Sequence, residues 1–183
     1  MTIAFDDSRP VRSFFFTVRL ADPNSAALVE EVDLLRRVTR QTMNRFPFQI
    51  DEIVVLPNTL HTIWTLPAGD IDYAKRWRML KSLFSRALPE PVKRHPVAVR
   101  RKEKGIWQRR FWDYHLSDAA DYEIHRRMIY AAPLQNGLAV TPEDWVHSSI
   151  HRAIRNGSWP DRQKATPAFR GRVTFEQPML SLA

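Results

Sequence analysis

The sequence predicts an α+β fold: a ferredoxin-like sandwich whose antiparallel sheet carries helices on one face, followed by C-terminal helices. Three observations predict it. Apolar and polar residues alternate at 13–20, as a half-buried strand requires, and apolar, β-branched runs recur at 48–56 and 59–66. Apolar residues at helical spacing fill 23–45 and the stretch from 70 to 88. An aromatic-rich run at 105–116 supplies a fourth strand, so the order is strand, helix, strand, strand, helix, strand. Such a sheet leaves its second face open to a ligand.

Each element has a local reason. In SFFFTVRL, Phe14, Phe16, Val18 and Leu20 fall on one face and Phe15, Thr17 and Arg19 on the other. Asp22-Pro23 reads as an N-cap with proline at the first helical position. Leu28, Val32, Leu35, Met43 and Phe46 carry that helix to about residue 45. Pro57-Asn58 turns the second strand into the third. Gly69-Asp70 opens a helix with Tyr73, Trp77, Leu80, Phe84 and Ala87 as its stripe, and Pro89 and Pro91 end it. Residues 92–105 read as a basic loop. A helix follows from Asp118 to about Ala131, where Pro133 stops it and Asn136-Gly137 turns the chain. Trp145 to Arg155 reads as a last short helix. The expected organisation is one domain over 1–157 and an irregular tail over 158–183, in which Phe169, Arg170 and Arg172 could fold back over the domain.

Composition narrows the function. A chain of 183 residues with 44% hydrophobic residues can bury one core. It has no cysteine, which excludes disulfides and thiolate chemistry. No run approaches the roughly 18 apolar residues of a membrane helix, and the first residues lack an apolar signal core, so the expected site is the cytoplasm, away from membranes. The formal net charge is +8 and the isoelectric point about 10.3. Arginine supplies most of the excess, and its planar fork suits phosphate. Between residues 93 and 110 lie Lys93, Arg94, Arg100, Arg101, Lys102, Lys104, Arg109 and Arg110, with Trp107, Phe111 and Trp112 among or beside them. Cations beside rings describe a surface for single-stranded or hairpin nucleic acid. Trp107 and Trp112 divide between two readings, core packing and base stacking.

One histidine stands out in VVLPNTLHTIW, residues 54–64. Residues two apart on a strand share a face, so a His-x-His pair could share a divalent ion. Here the first position is Thr59 and only His61 is an imidazole. Taken alone, His61 reads as a hydrogen-bonded sheet residue.

The stretch VVLPNTLHTIWTLPAGDIDYAKRWRMLKSLFSRALP, with GIWQRRFWDYHLSDAADYEIH after it, resembles the REP-associated tyrosine transposases, members of the HUH single-strand transposases. The likeness covers roughly residues 13–157. It implies DNA hairpins of repetitive palindromic type with single-stranded flanks as the partner, a Mg²⁺ or Mn²⁺ ion held by a His-hydrophobic-His pair and a helical asparagine, and a tyrosine nucleophile on that helix. It also implies a monomer. The pattern Asp-His-Leu-His stands here as Asn58-Thr59-Leu60-His61, and Tyr-Ile-x-x-Asn-Pro as Met128-Ile129-Tyr130-Ala131-Ala132-Pro133. The nucleophile position is therefore Met128, the helper position Ala132 and the first histidine position Thr59, leaving His61 as a remnant. No cofactor is expected.

Three readings result. The first is a transposase-like DNA-binding protein without strand cleavage, with Arg76, Lys81, Arg100, Arg101, Lys102, Lys104, Arg109 and Arg110 on phosphates and the strand from Phe14 to Arg19 near unpaired bases. The second is an active metal-dependent transposase with a substitute nucleophile such as Tyr130, which helical geometry places about 200° round from Met128. Tyr114 and His115, at the end of the neighbouring strand, are further candidates to reach the site. The third is a module that binds RNA or a protein.

Overall fold

The computed structural model describes residues 12–91 and 96–159. Along the chain come β1 (Ser13–Arg19), α1 (Ala27–Glu30), α2 (Val32–Arg45), β2 (Gln49–Val55), β3 (Thr59–Thr65), α3 (Tyr73–Ala87), α4 (Pro96–Arg100), β4 (Trp112–His115), α5 (Ala119–Gln135), a 3₁₀ turn (Pro142–Asp144) and α6 (Ile150–Arg155). The strands form one sheet in the order β2-β3-β1-β4, every pair antiparallel. Alternation on β1 then decides the layers. Phe14, Phe16 and Val18 meet Leu35, Val38, Trp77, Leu80 and Phe84 of α2 and α3 in the larger core. At its centre Trp64 of β3 stacks on Trp77 with centroids 4.1 Å apart.

The second face is covered over its inner strands and open only at β4. Phe15, Val54 and Ile63 are covered by Ile129, Tyr130 and Ala132 of α5 and by Ile150 and Ala153 of α6. The C-terminal helices thus complete a layer on the side expected to be free. Burying these apolar groups contributes about 25 cal/mol per Å² removed from water, and Trp145 and Trp159 from the flanking segments add to the cover.

Several boundaries move for physical reasons. The helix from Pro23 starts only at Ala27 and breaks at Glu31. Asp22 caps a turn instead, accepting from the Asn24 amide at 2.9 Å. The first helical turn is drawn to the β2–β3 connection, where the Leu28 amide donates to the Pro57 carbonyl. α3 is capped two residues late by Asp72, which accepts from Lys75 N at 3.0 Å. Pro133 does not end α5, which continues to Gln135. The proline lies in the last turn, so only the carbonyl four residues back loses its partner. The basic loop contains α4, and the long fourth strand shrinks to four residues. Trp107 makes only an isolated bridge to Leu20. The helix expected from Trp145 begins at Ile150 because residues 147–149 line the β2 edge: Val55 N donates to His147 O and Ser149 N to Ile53 O. That satisfies backbone groups an edge strand would otherwise leave open. No helix among the described residues is long and apolar enough to cross a membrane.

Candidate nucleic-acid interface

A row of residues crosses the second face of the sheet. Val54 pairs with His61, His61 with Thr17, and Thr17 with Trp112. His61 is buried, its Nδ1 lies 2.9 Å from Thr17 Oγ1, and its ring runs parallel to Phe15 at 6.0 Å. Burial, and then the charge of Arg19, hold its pKa down at about 4, so the imidazole is neutral at pH 7. Thr59, two residues back, donates its hydroxyl to Asn58 Oδ1 at 2.9 Å. Across this row lies α5, where His125, Met128, Ile129 and Ala132 share one helical face by spacing. Ile129 and Ala132 pack in the cluster that holds Val54 and Ile63.

This set does not fit a Mg²⁺ or Mn²⁺ ion, which needs several oxygen donors or an imidazole pair. Besides His61, positions 59, 128 and 132 offer a threonine, a thioether and a methyl group, and His125 on the helix is engaged with Asp121. Among the described residues no three His, Cys, Asp or Glu side chains gather as a metal site.

Of the candidate tyrosines, Tyr130 is held on Glu52 and Tyr114 stands on the His61 face. Tyr130 is buried and donates to Glu52 Oε2 at 2.6 Å, and Ser149 Oγ donates to the same oxygen at 2.6 Å. Burial, then the Glu52 charge, hold this phenol above the usual tyrosine range. Tyr114 shares the His61 face of β4, while His115 packs on Phe14 at 5.0 Å, on the opposite face. Alternation separates these two neighbours. His125 completes the ring cluster, 4.9 Å from Phe15 and 4.9 Å from Tyr114, with Nδ1 3.0 Å from Asp121 Oδ1. Its signal in the sequence was the i, i+4 spacing from Asp121.

The predicted phosphate-binding cations divide into internal and exposed. Arg76 is internal: it is 1% exposed and donates to Asp70 Oδ2 at 2.9 Å, to Asp72 O at 2.8 Å and to Pro47 O. It therefore ties α3 to the segment before β2 and holds the Asp70 carboxyl well below the usual range. Lys81 is half-buried, donates to Gln108 O at 3.2 Å and lies 4.9 Å from the Phe111 ring centroid. Burial lowers its pKa to about 8. Lys104 donates to the carbonyls of Arg86 and Leu88 at the end of α3. Arg100, Arg101, Lys102, Arg109 and Arg110 are exposed. Lys93 and Arg94, and the tail with Phe169, Arg170 and Arg172, lie outside the described residues. An open groove of about 780 Å³ runs between α3 and residues 102–111, and Arg78 and Arg86 of α3 line it with Lys102 and Arg109. Arg78 and Arg86 are not among the cations expected on phosphates. Glu90 and Glu103 also face this groove. The two tryptophans part here: Trp107 is buried against Phe84, and Trp112 is exposed.

No protein-family model matches the chain. A REP-associated tyrosine transposase of Escherichia coli K12 is 35% identical over 148 residues, 81% of this chain and 82% of that protein. A Haemophilus influenzae protein provisionally given the same name is 33% identical over 155 residues, 84% of this chain and 88% of its own. A solved structure described as the REP-associated tyrosine transposase bound to a REP hairpin superposes with a TM-score of 0.69 at 30% identity, covering 91% of this chain and 95% of that one. Identity at this level across more than four-fifths of each curated relative, on a shared fold, makes this chain a member of the REP-associated tyrosine transposase family.

Proposed function

We propose that this protein binds hairpin DNA bearing a single-stranded flank, as a monomer, and does not cleave it. The observation that carries the second half is the set of side chains on β3 and α5, where Thr59, Met128 and Ala132 stand at the positions that the family resemblance gives to a metal ligand, the nucleophile and a second ligand. A methionine has no oxygen with which to attack a phosphate, and a single buried imidazole rarely holds a catalytic ion. The hairpin-bound relative and the exposed cations at 100–102, 109 and 110 support the first half.

With Tyr130 as the substitute nucleophile, the second reading needs its phenolate, which burial and Glu52 disfavour. One gel decides between them. A labelled hairpin with single-stranded flanks is incubated with the protein and Mn²⁺ or Mg²⁺, then run native and denaturing. The expected result is a native shift with no cleaved and no covalently attached DNA. Cleavage or an adduct overturns the proposal. A matched RNA hairpin as competitor tests the RNA reading, since only RNA offers 2′-hydroxyls; competition equal to or better than DNA would favour it.

A further inference from the structure

Resting on that DNA-binding reading, we propose that the exposed ring of Trp112 is the stacking surface for one unpaired base of the flank, beside the His61 position. Trp112 and Tyr114 are 41% and 40% exposed on a sheet that buries Phe14, Phe15, Phe16 and Trp64. They are held rigidly. Trp112 stands edge-on to buried Phe15 at 5.4 Å and stacks on Tyr114 at 5.9 Å with planes 19° apart. Tyr114 stacks in turn on His125 at 4.9 Å and 22°. The three rings form a short, nearly parallel series, anchored below by Phe15. A base added to such a fixed ring costs little ordering entropy on the protein side, and every base has a face to offer.

Charge chooses the occupant and the end of the series. Between the Leu20–Trp107 bridge and the Thr17–Trp112 pair, the β4 side carries two more residues than β1 does. The surplus residues include exposed Arg109 and Arg110 just ahead of Trp112, with Arg109 lining the α3 groove. Arg19 lies on the same sheet face, opposite Thr59. The far end is acidic, because Asp121 and Asp118 act on the Tyr114 hydroxyl. A nucleotide therefore fits with its base on Trp112 and its phosphates toward Arg110, while the Tyr114 end repels phosphate. Trp112 is linked to His61 through a single residue, Thr17, so this base sits next to the place where the resemblance puts cleavage chemistry.

Binding by anisotropy tests this, using a labelled hairpin with a single-stranded flank and the same hairpin made blunt, against wild type, Trp112→Ala and Trp112→Phe. Trp112→Ala is expected to weaken flanked-hairpin binding about 10-fold, as loss of one stacked base does, with blunt-hairpin affinity and salt slope unchanged. Trp112→Phe, which keeps a ring, stays within about 3-fold of wild type. An abasic nucleotide at one flank position should reproduce the loss in wild type and add nothing in Trp112→Ala. Trp112→Ala binding the flanked hairpin as tightly as wild type overturns the proposal. So does an equal loss on both hairpins, which would mark Trp112 as packing for Phe15. Wild type binding neither hairpin overturns the DNA-binding reading together with it.

Discussion

Asp51 and Glu52 sit side by side where β2 bulges against β3. Glu52 takes the hydroxyls of Tyr130 and Ser149, and Asp51 takes those of Thr65 at 2.6 Å and the Gln49 amide at 2.7 Å. Burial is the larger influence on Asp51 and lifts its pKa from 3.8 to about 6. The folded state then holds a proton that the unfolded chain releases, so stability falls as pH rises from about 4 to about 6. The loss amounts to about 2–3 kcal/mol at neutral pH for a shift of this size. Thermal melting from pH 4 to 7 should show that slope, and Asp51→Asn should flatten it; an unchanged slope in the variant would assign it to other groups. Single side chains were only partly legible. His61 was marked by its place in the strand pattern, but Arg76 looked like any other helical cation until Asp70 and the Pro47 carbonyl were seen to enclose it. Position along a helix states which face a cation takes only when the neighbouring segment is known.

α4 shows how a loop of cations is given shape. Lys102 N donates to Val99 O and Glu103 N to Ala98 O, a Schellman closure with Lys102 at the left-handed position, φ 55°. Glycine takes that conformation at little steric cost, so Lys102→Gly should raise stability by up to about 1 kcal/mol. The same change removes an exposed cation and should weaken hairpin binding. Chemical denaturation and a binding titration on one variant would read both, and a fall in stability would contradict the closure. The strands β1 to β3 and helix α3 were legible because their apolar periods are strong. β4, the break at Glu31 and the late start of α6 were not. Each is decided by a hydrogen bond to a distant segment, such as Ser149 N to Ile53 O, and sequence periodicity carries no record of such partners.

Across the whole molecule, charge and cover act on different sides. The larger core and the α5–α6 layer cover β1 to β3, and exposed cations such as Arg78, Arg100, Arg101, Lys102, Arg109 and Arg110 stay in water. Salt should therefore act on binding far more than on folding. Replacing Arg100, Arg101 and Lys102 with alanine removes three exposed charges, and the slope of log affinity against log salt should drop by about 2 to 3. An unchanged slope would place the phosphates elsewhere on the surface.

The sequence by itself determined the α+β order, the basic character, the family resemblance and the identities Thr59, Met128 and Ala132 that the resemblance sets against its catalytic pattern. These are properties of residue identity and local period. Tertiary structure alone decided that α5 and α6 close the second face, that Arg76 and Lys104 serve the fold, that Tyr130 is held by Glu52, and that Trp107 is buried while Trp112 is exposed. The physical reason is common to all of them. A polar or aromatic side chain has the same local signature in either role, and only the segment packed against it decides whether it meets water or the interior.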